Sequence, residues 1–361
     1  MSDPLSTGYR VVSWYQAGHR DLPWRNTCDP YAILVSEIML QQTRVETVSG
    51  YYERFMRIFP DIATLAEAPE ERVMALWQGL GYYSRARNLQ KAARQVLADH
   101  AGSFPGDPKL LTRLAGIGPY TAGAIASIAF HLPVPAVDGN VLRVMARLRM
   151  VEENILSAAT RNRITAMVQE MIPPAHAADF CQGMMELGAT CCTSVSPDCM
   201  RCPVRTDCGA YLAGRVAQLP VRAPKAAPQA SHQAVFLIRD PRGCLLLAYR
   251  PEGLLRGLWG LPHFESEAEM PDVDRLMDMP VIGSALKSGT LVLREPAGSC
   301  RHVFTHRRWE MRVWWVDYLP EKEKTYDADG YKWLPVSLLD SLPVPEAFRK
   351  VLRMVGLEAS R

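Results

Sequence analysis

The chain has 361 residues, 48% of them hydrophobic, with a formal net charge of +3; a chain of this length buries more than one core, so two or three domains are expected. No apolar run approaches the roughly twenty residues of a membrane helix, and the amino terminus lacks the blocks of a secretory signal, which excludes a membrane role and points to the cytoplasm. The charge permits nucleic-acid binding without indicating it, although residues 1–222 are rich in arginine and hold only two lysines, Lys91 and Lys109.

From about residue 31 to residue 130 apolar residues recur at helical spacing, as in Ile33, Leu34 and Ile38, or Phe55, Ile58 and Phe59. Prolines at Pro30, Pro60, Pro69, Pro105, Pro108, Pro119 and Pro133 mark short helices joined by tight connections, and the helical pattern resumes through Gly188. Within YAILVSEIMLQQT (residues 31–43), Glu37 falls on or beside an apolar stripe. An unpaired carboxyl there has a raised pKa and suits general-acid work near neutral pH; a salt-bridged glutamate at the edge of the face is the plainer alternative.

Residues 110–130 (LLTRLAGIGPYTAGAIASIAF) place two apolar segments around Gly116-Ile117-Gly118, with Pro119 suited to the first position of the next helix. Such a turn aims free N–H groups at a phosphate, although a lone G-x-G fits an ordinary helical hairpin equally well. Val137-Asp138-Gly139-Asn140 leads into another helix, whose N–H groups should keep Asp138 ionised, the opposite of Glu37; a plain capping aspartate gives the same pattern.

Four of the nine cysteines form Cys192-x6-Cys199-x2-Cys202-x5-Cys208, a loop better read as metal ligation than as disulfides. Four thiolates serve a 4Fe–4S cluster or tetrahedral zinc, but a single C-x-x-C pair flanked by lone cysteines departs from the paired knuckles of a zinc ribbon. Cys191 reads as a spectator, with a one-residue ligand swap left open, and Cys28, Cys181, Cys244 and Cys300 read as ordinary thiols. Arg201 and Arg205 inside the loop are placed to meet phosphates.

Residues 214–231 lose periodicity and gain proline and alanine, the mark of a semi-extended interdomain linker. Beyond it, residues 232–239 and 244–250 read as strands around an Asp240-Pro241-Arg242-Gly243 turn, residues 308–319 as an aromatic-rich strand, and residues 344–355 as an amphipathic helix.

Taken in order, S-E-I-M-L-Q-Q-T, L-A-G-I-G-P-Y-T-A, V-D-G-N and the cysteine loop resemble the endonuclease III superfamily, and over nearly the whole chain the adenine DNA glycosylases of the MutY type. The resemblance implies a multi-domain protein. Its first part is an all-α helix-hairpin-helix glycosylase core with an iron–sulfur cluster loop (residues 1–213, with 31–130 as the helix-hairpin-helix module and 1–30 joining 131–213 as the cluster module). An α+β nudix-like lesion-recognition domain follows at residues 232–361. It further implies a monofunctional enzyme, acting as a monomer on duplex DNA, that flips out adenine mispaired with 8-oxoguanine or guanine and hydrolyses its glycosidic bond.

On that pattern Glu37 protonates adenine N7, Asp138 stabilises the sugar cation, and Tyr120 and Asn140 complete the catalytic set. Cys192, Cys199, Cys202 and Cys208 hold a 4Fe–4S cluster, and Gly116 and Gly118 bind the DNA backbone. Arg20, Leu22, Trp24 and Glu186 line the adenine pocket, with Arg25 beside them, although core packing is a serious rival for Trp24. Gln41, Gln42 and Tyr82 wedge into the stack, Thr43 joins them in binding DNA, and Phe304, Thr305 and His306 read the oxidised guanine, with Thr305 where the family typically has serine. Two rival readings are a bifunctional glycosylase/lyase and a non-catalytic damage-binding protein. Tyr120 stands where the lyases carry their Schiff-base lysine, which disfavours the first, and the Glu37 and Asp138 pair disfavours the second. Glu265, Glu267 and Glu269 do not reproduce a hydrolytic nudix box.

Overall fold

The structure is a computed structural model that describes residues 3–224, 227–286, 289–321 and 330–358. Lys225 and Ala226, within the segment read as a linker, lie outside the described residues. The chain divides into two compact units, Met1–Leu76 with Ser84–Pro224, and Trp77–Tyr83 with Lys225–Arg361.

The first unit is helical. Helix α1 (Pro4–Ala17) precedes the stretch where helical spacing is evident in the sequence; Asp3 accepts from the Ser6 N–H at 3.1 Å and Pro4 supplies a preset first turn. Helix α2 (Pro30–Leu40) starts in the same way, with Asp29 accepting from the Tyr31 N–H at 2.9 Å. Every residue of α2 from Tyr31 to Met39 is buried, so the stripe expected around Glu37 extends over the whole circumference. Around it lie α3 (Val45–Ile58), α4 (Ile62–Glu67), α5 (Glu70–Leu76) and α6 (Ser84–His100).

The hairpin follows as α7 (Pro108–Leu111) and α8 (Pro119–Ile128). Gly116 has φ +76°, and a Cβ there would lie 2.7 Å from Asn88 Cβ, so both the turn and the close approach require glycine. A second core joins α1 to α9 (Gly139–Leu148), α10 (Ala158–Gln169) and α11 (Ala177–Glu186) through Val11, Val144, Met145, Ile164, Phe180 and Met184. A π-turn at Leu187–Cys191 ends α11 and opens the cysteine loop, which closes at α12 (Gly209–Leu212). The chain after it stays tied to this unit, since the Leu219 carbonyl accepts from Arg147 Nε at 2.9 Å and the Val221 carbonyl from the Ile155 N–H at 3.1 Å.

The second unit is a mixed sheet with a helix on each face. Strand β1 (Gln229–Arg239) pairs in parallel with β6 (Arg307–Pro320) and antiparallel with β2 (Leu245–Tyr249) and β4 (His263–Glu265); β3 (Trp259–Gly260) and β7 (Tyr331–Leu334) pair with β2, and β5 (Gly289–Val303) with β6. The period of two along β1 sorts its side chains between the faces. Val235 and Leu237 join Trp309, Met311 and Phe348 of α14 (Glu346–Met354), whereas Phe236 and Ile238 join Trp314 and the Ile282 and Leu286 of α13 (Pro280–Leu286). Strand β5 is not evident in the sequence because Pro296 and Gly298 break its alternation; the sheet absorbs them as register shifts between Leu293 and Gly298. No helix among the described residues is long and apolar enough to cross a membrane.

Candidate active site

Glu37 reaches out of α2 into a nearly closed space, 6% exposed. Tyr120, second in α8, donates its hydroxyl to Glu37 Oε2 at 2.5 Å and also approaches Met185 Sδ of α11 at 3.7 Å. Burial pushes the Glu37 carboxyl up to about 7; the Tyr120 hydrogen bond pulls the other way, and the nearby Asp138 carboxylate adds to the rise. Burial and the same two carboxyls hold the Tyr120 phenol well above its usual range, so the group stays a donor.

Asp138 caps α9. Its Oδ1 accepts from the Val141 N–H at 2.7 Å and its Oδ2 from Asn140 Nδ2 at 2.8 Å. The helix N–H groups expected to favour its ionised form do lower its pKa, but burial is the larger effect and raises it above the ordinary value against the pull of Val141, Asn140 and Arg143. Enclosure outweighs the dipole and donors of the helix end, so both carboxyls shift upward instead of apart.

Behind Asp138 runs a chain of arginine contacts with no counterpart in the sequence reading. Arg143 Nη2 donates to Asn140 Oδ1 at 2.9 Å and to the Gly188 carbonyl at 2.6 Å, and its Nε donates to the Cys192 carbonyl at 2.8 Å. A Cβ on Gly188 would come within 2.5 Å of Asn140 Cβ, so glycine is what lets the π-turn close on this network. One turn along α9, buried Arg147 donates to Cys192 Sγ at 3.4 Å and to the Thr193 carbonyl at 2.6 Å. The visible signal was two arginines four residues apart inside the apolar run VLRVMARL.

Cys192, Cys199, Cys202 and Cys208 line one recess, together with Cys191 and Arg147. No group of three or more potential ligands among the described residues stands in metal-holding geometry. The donor set nevertheless fits a thiolate-bound cluster, with four half-buried sulfurs around one recess and a buried guanidinium against the first of them. The Cys191 thiol donates to the Asp198 carbonyl at 3.1 Å.

The segment after Gly18 folds against α11. Glu186 accepts from Arg20 Nη2 at 2.7 Å and Arg25 Nη2 at 2.6 Å, and these guanidinium bonds overcome burial to hold its carboxyl at about 2. Leu22 is buried, and Trp24 lies edge-on to Tyr52 at 5.4 Å, so in this structure Trp24 serves as core packing.

At the carboxyl end of α2, buried Arg85 donates through Nη1 to the carbonyls of Ile38 (2.8 Å), Met39 (2.9 Å) and Gln41 (2.6 Å), and through Nη2 to Thr43 Oγ1 (3.2 Å). One cation thus satisfies two of the last carbonyls of the helix that carries Glu37 and fixes the loop of Gln41, Gln42 and Thr43, in which Gln42 has φ +59°. At the hairpin, buried Ile117 anchors the turn while Gly118, the amino-terminal cap of α8, is exposed with no side-chain cap bond.

In the second unit, Phe304 packs at 5.0 Å from Trp309 and its N–H donates to the Arg307 carbonyl at 2.7 Å, closing the turn between β5 and β6. Thr305 and His306 are exposed at the tip, and Thr305 Oγ1 donates to Tyr82 Oη, of the Trp77–Tyr83 segment in the same unit, at 3.3 Å.

The hairpin-bearing helical core and the mixed sheet after it each match a known family. The profile of the HhH-GPD superfamily base excision DNA repair protein matches residues 35–172, and that of the NUDIX domain matches residues 234–354. The adenine DNA glycosylase of Mus musculus is 35% identical over 98% of this chain and 78% of its own, and that of Homo sapiens 33% identical over 95% and 73%. A solved thermostable thymine-DNA glycosylase is 26% identical over 58% of this chain and 97% of its own, with a TM-score of 0.52. The chain belongs to the adenine DNA glycosylase family.

The Arg85 contacts generate a stability prediction. Arg85→Met should lower the unfolding free energy by roughly 3 kcal/mol, since it strands buried carbonyls without a donor. Urea denaturation followed by tryptophan fluorescence checks this, and a loss below about 1 kcal/mol would show that the α2 terminus does not depend on Arg85.

Proposed function

We propose that this protein removes adenine mispaired with 8-oxoguanine or guanine by monofunctional hydrolysis, with Glu37 as general acid and Asp138 as stabiliser of the sugar cation. The carrying observation is the enclosed Glu37 carboxyl, hydrogen-bonded to Tyr120 and raised to about 7, which lets it hold a proton at neutral pH and give it up readily. Delivered to adenine N7, that proton lets the C1′–N9 bond break with its electron pair leaving on the base. The oxocarbenium-like sugar then faces the Asp138 carboxylate, whose orientation is set by Val141 and Asn140. Water adds at C1′ and loses a proton. The position that would hold a Schiff-base lysine is Tyr120, a phenol already engaged with Glu37, so hydrolysis is favoured over lyase chemistry.

The remaining roles follow the same reading. Glu186, oriented by Arg20 and Arg25, presents a fixed acceptor edge to the flipped base. Gly116 and Gly118 offer N–H groups to a phosphate. The exposed Thr305 and His306, with Tyr82 beside them, read the oxidised guanine. The second unit acts as a reader, and α13 (PVIGSAL) carries no carboxylate to hold a diphosphate-bound metal. Cys192, Cys199, Cys202 and Cys208 hold a 4Fe–4S cluster, which fixes the loop carrying Arg201 and Arg205. We place the domain boundary within residues 214–231, and the enzyme works as a DNA-associated monomer in the cytoplasm.

Glu37→Gln should slow single-turnover adenine release by about a thousandfold or more while duplex binding persists, because the amide keeps the shape but has no acidic proton. For the unsubstituted enzyme the rate should fall as pH rises past about 7, where Glu37 loses its proton. Near-normal cleavage by the Gln variant would remove Glu37 from the mechanism. Elemental analysis of purified protein should give about four irons per chain, reduced in Cys199→Ser; zinc without iron would overturn the cluster assignment.

A further inference from the structure

The Tyr120 hydroxyl has one proton and two neighbours able to accept it, Glu37 Oε2 at 2.5 Å and Met185 Sδ at 3.7 Å. A thioether accepts weakly and donates nothing. While Glu37 is ionised, the phenol O–H donates to the carboxylate, the stronger acceptor. Once Oε2 is protonated, two hydrogens compete for one short contact, and one must turn away.

We propose that Met185 is a positioning residue of the glycosylase reaction, the alternative acceptor that lets Tyr120 turn its proton away from Glu37 so that Oε2 can carry the acid proton. In the acid form, Oε2–H donates to Tyr120 Oη and the phenol O–H donates to Met185 Sδ. In the ionised form the phenol O–H returns to Oε2. The exchange is a rotation of one hydroxyl and the gain or loss of one proton, with no change in heavy-atom bonds. A leucine in the same place fills the space but offers no lone pair, leaving a buried phenol hydrogen unsatisfied in the acid form alone, which penalises that form.

The other titratable groups facing Glu37 are Asp138 at the start of α9 and the buried Cys181 of α11, while Arg85 of α6 is engaged with carbonyls at the end of α2. None of them accepts the phenol proton in this arrangement. Met185 lies one residue before Glu186, so the same turn of α11 that presents a carboxylate to the base presents a sulfur to the acid's partner.

This inference rests on Glu37 being the general acid, and the experiment separates the two. Single-turnover adenine release is measured against pH for the unsubstituted protein and for Met185→Leu, Met185→Gln, Tyr120→Phe and Tyr120→Phe/Met185→Leu, with duplex binding as the check on folding. Met185→Leu should move the alkaline limb down by about half a pH unit, read as about threefold slower release above the limb with the plateau kept. Met185→Gln, whose amide oxygen accepts, should restore the limb. In the Tyr120→Phe background Met185→Leu should move nothing further, because the phenol is the only route between them. An unshifted limb in a Met185→Leu protein that binds duplex normally overturns the proposal, as does a shift that persists without the phenol. Full activity of Glu37→Gln would instead remove the reading on which it rests. If Met185→Leu fails to bind duplex, Met185→Gln decides: a limb at the unsubstituted position supports the acceptor role, and a displaced one overturns it.

Discussion

The Glu37 carboxyl sits on a helix with no polar side, where water cannot pay the cost of its charge, and its hydrogen bond runs to a phenol that is itself enclosed. Most of the helical unit can be understood as keeping that arrangement in place. A carboxyl in water's reach would ionise and become a poor acid at neutral pH; one sealed without any partner would never give its charge-bearing form a stable home after the proton leaves. The Tyr120 contact lies between these extremes. It pulls against burial, leaving the group near neutrality and able to cycle.

Arginines do much of the holding, and each does it by binding backbone carbonyls. Arg85 closes the end of α2, Arg143 links the loop of Asp138 and Asn140 to the π-turn, and Arg147 grips the first turn of the cysteine loop. The planar fork carries five donors in a fixed, spread-out geometry, whereas a lysine's ammonium concentrates three donors at one point. The abundance of arginine over lysine in residues 1–222 therefore has a structural reading. The same contacts join the candidate catalytic turn to the cysteine loop, so a cluster bound there and the orientation of Asn140 share one scaffold.

The sequence was informative where a motif fixes local geometry. Gly116 requires glycine for a left-handed turn, Pro30 marks the start of α2, and the period-two runs that become β1 and β6 are visible in the residues themselves. It was uninformative where tertiary packing decides. Nothing in YAILVSEIMLQQT reveals that α2 is covered on all sides, or that the donors around Asp138 lose to enclosure. Strand β5 was hidden because Pro296 and Gly298 interrupt its alternation, and Arg85 because its carbonyl partners lie more than forty residues away in the chain. Met185 reads as one more apolar residue in an apolar helix until the position of Tyr120 is known.

On the proposed function, a buried acid removes adenine by hydrolysis and the second unit chooses the opposing base. Single-turnover reactions at fixed salt, on duplexes with adenine opposite 8-oxoguanine and opposite guanine, test it most directly when base release, strand scission and borohydride trapping are followed together. Free adenine is expected from both duplexes, faster opposite 8-oxoguanine, with the strand intact and no trapped adduct. Strand scission with a trapped Schiff base, or equal rates on the two duplexes, would contradict it.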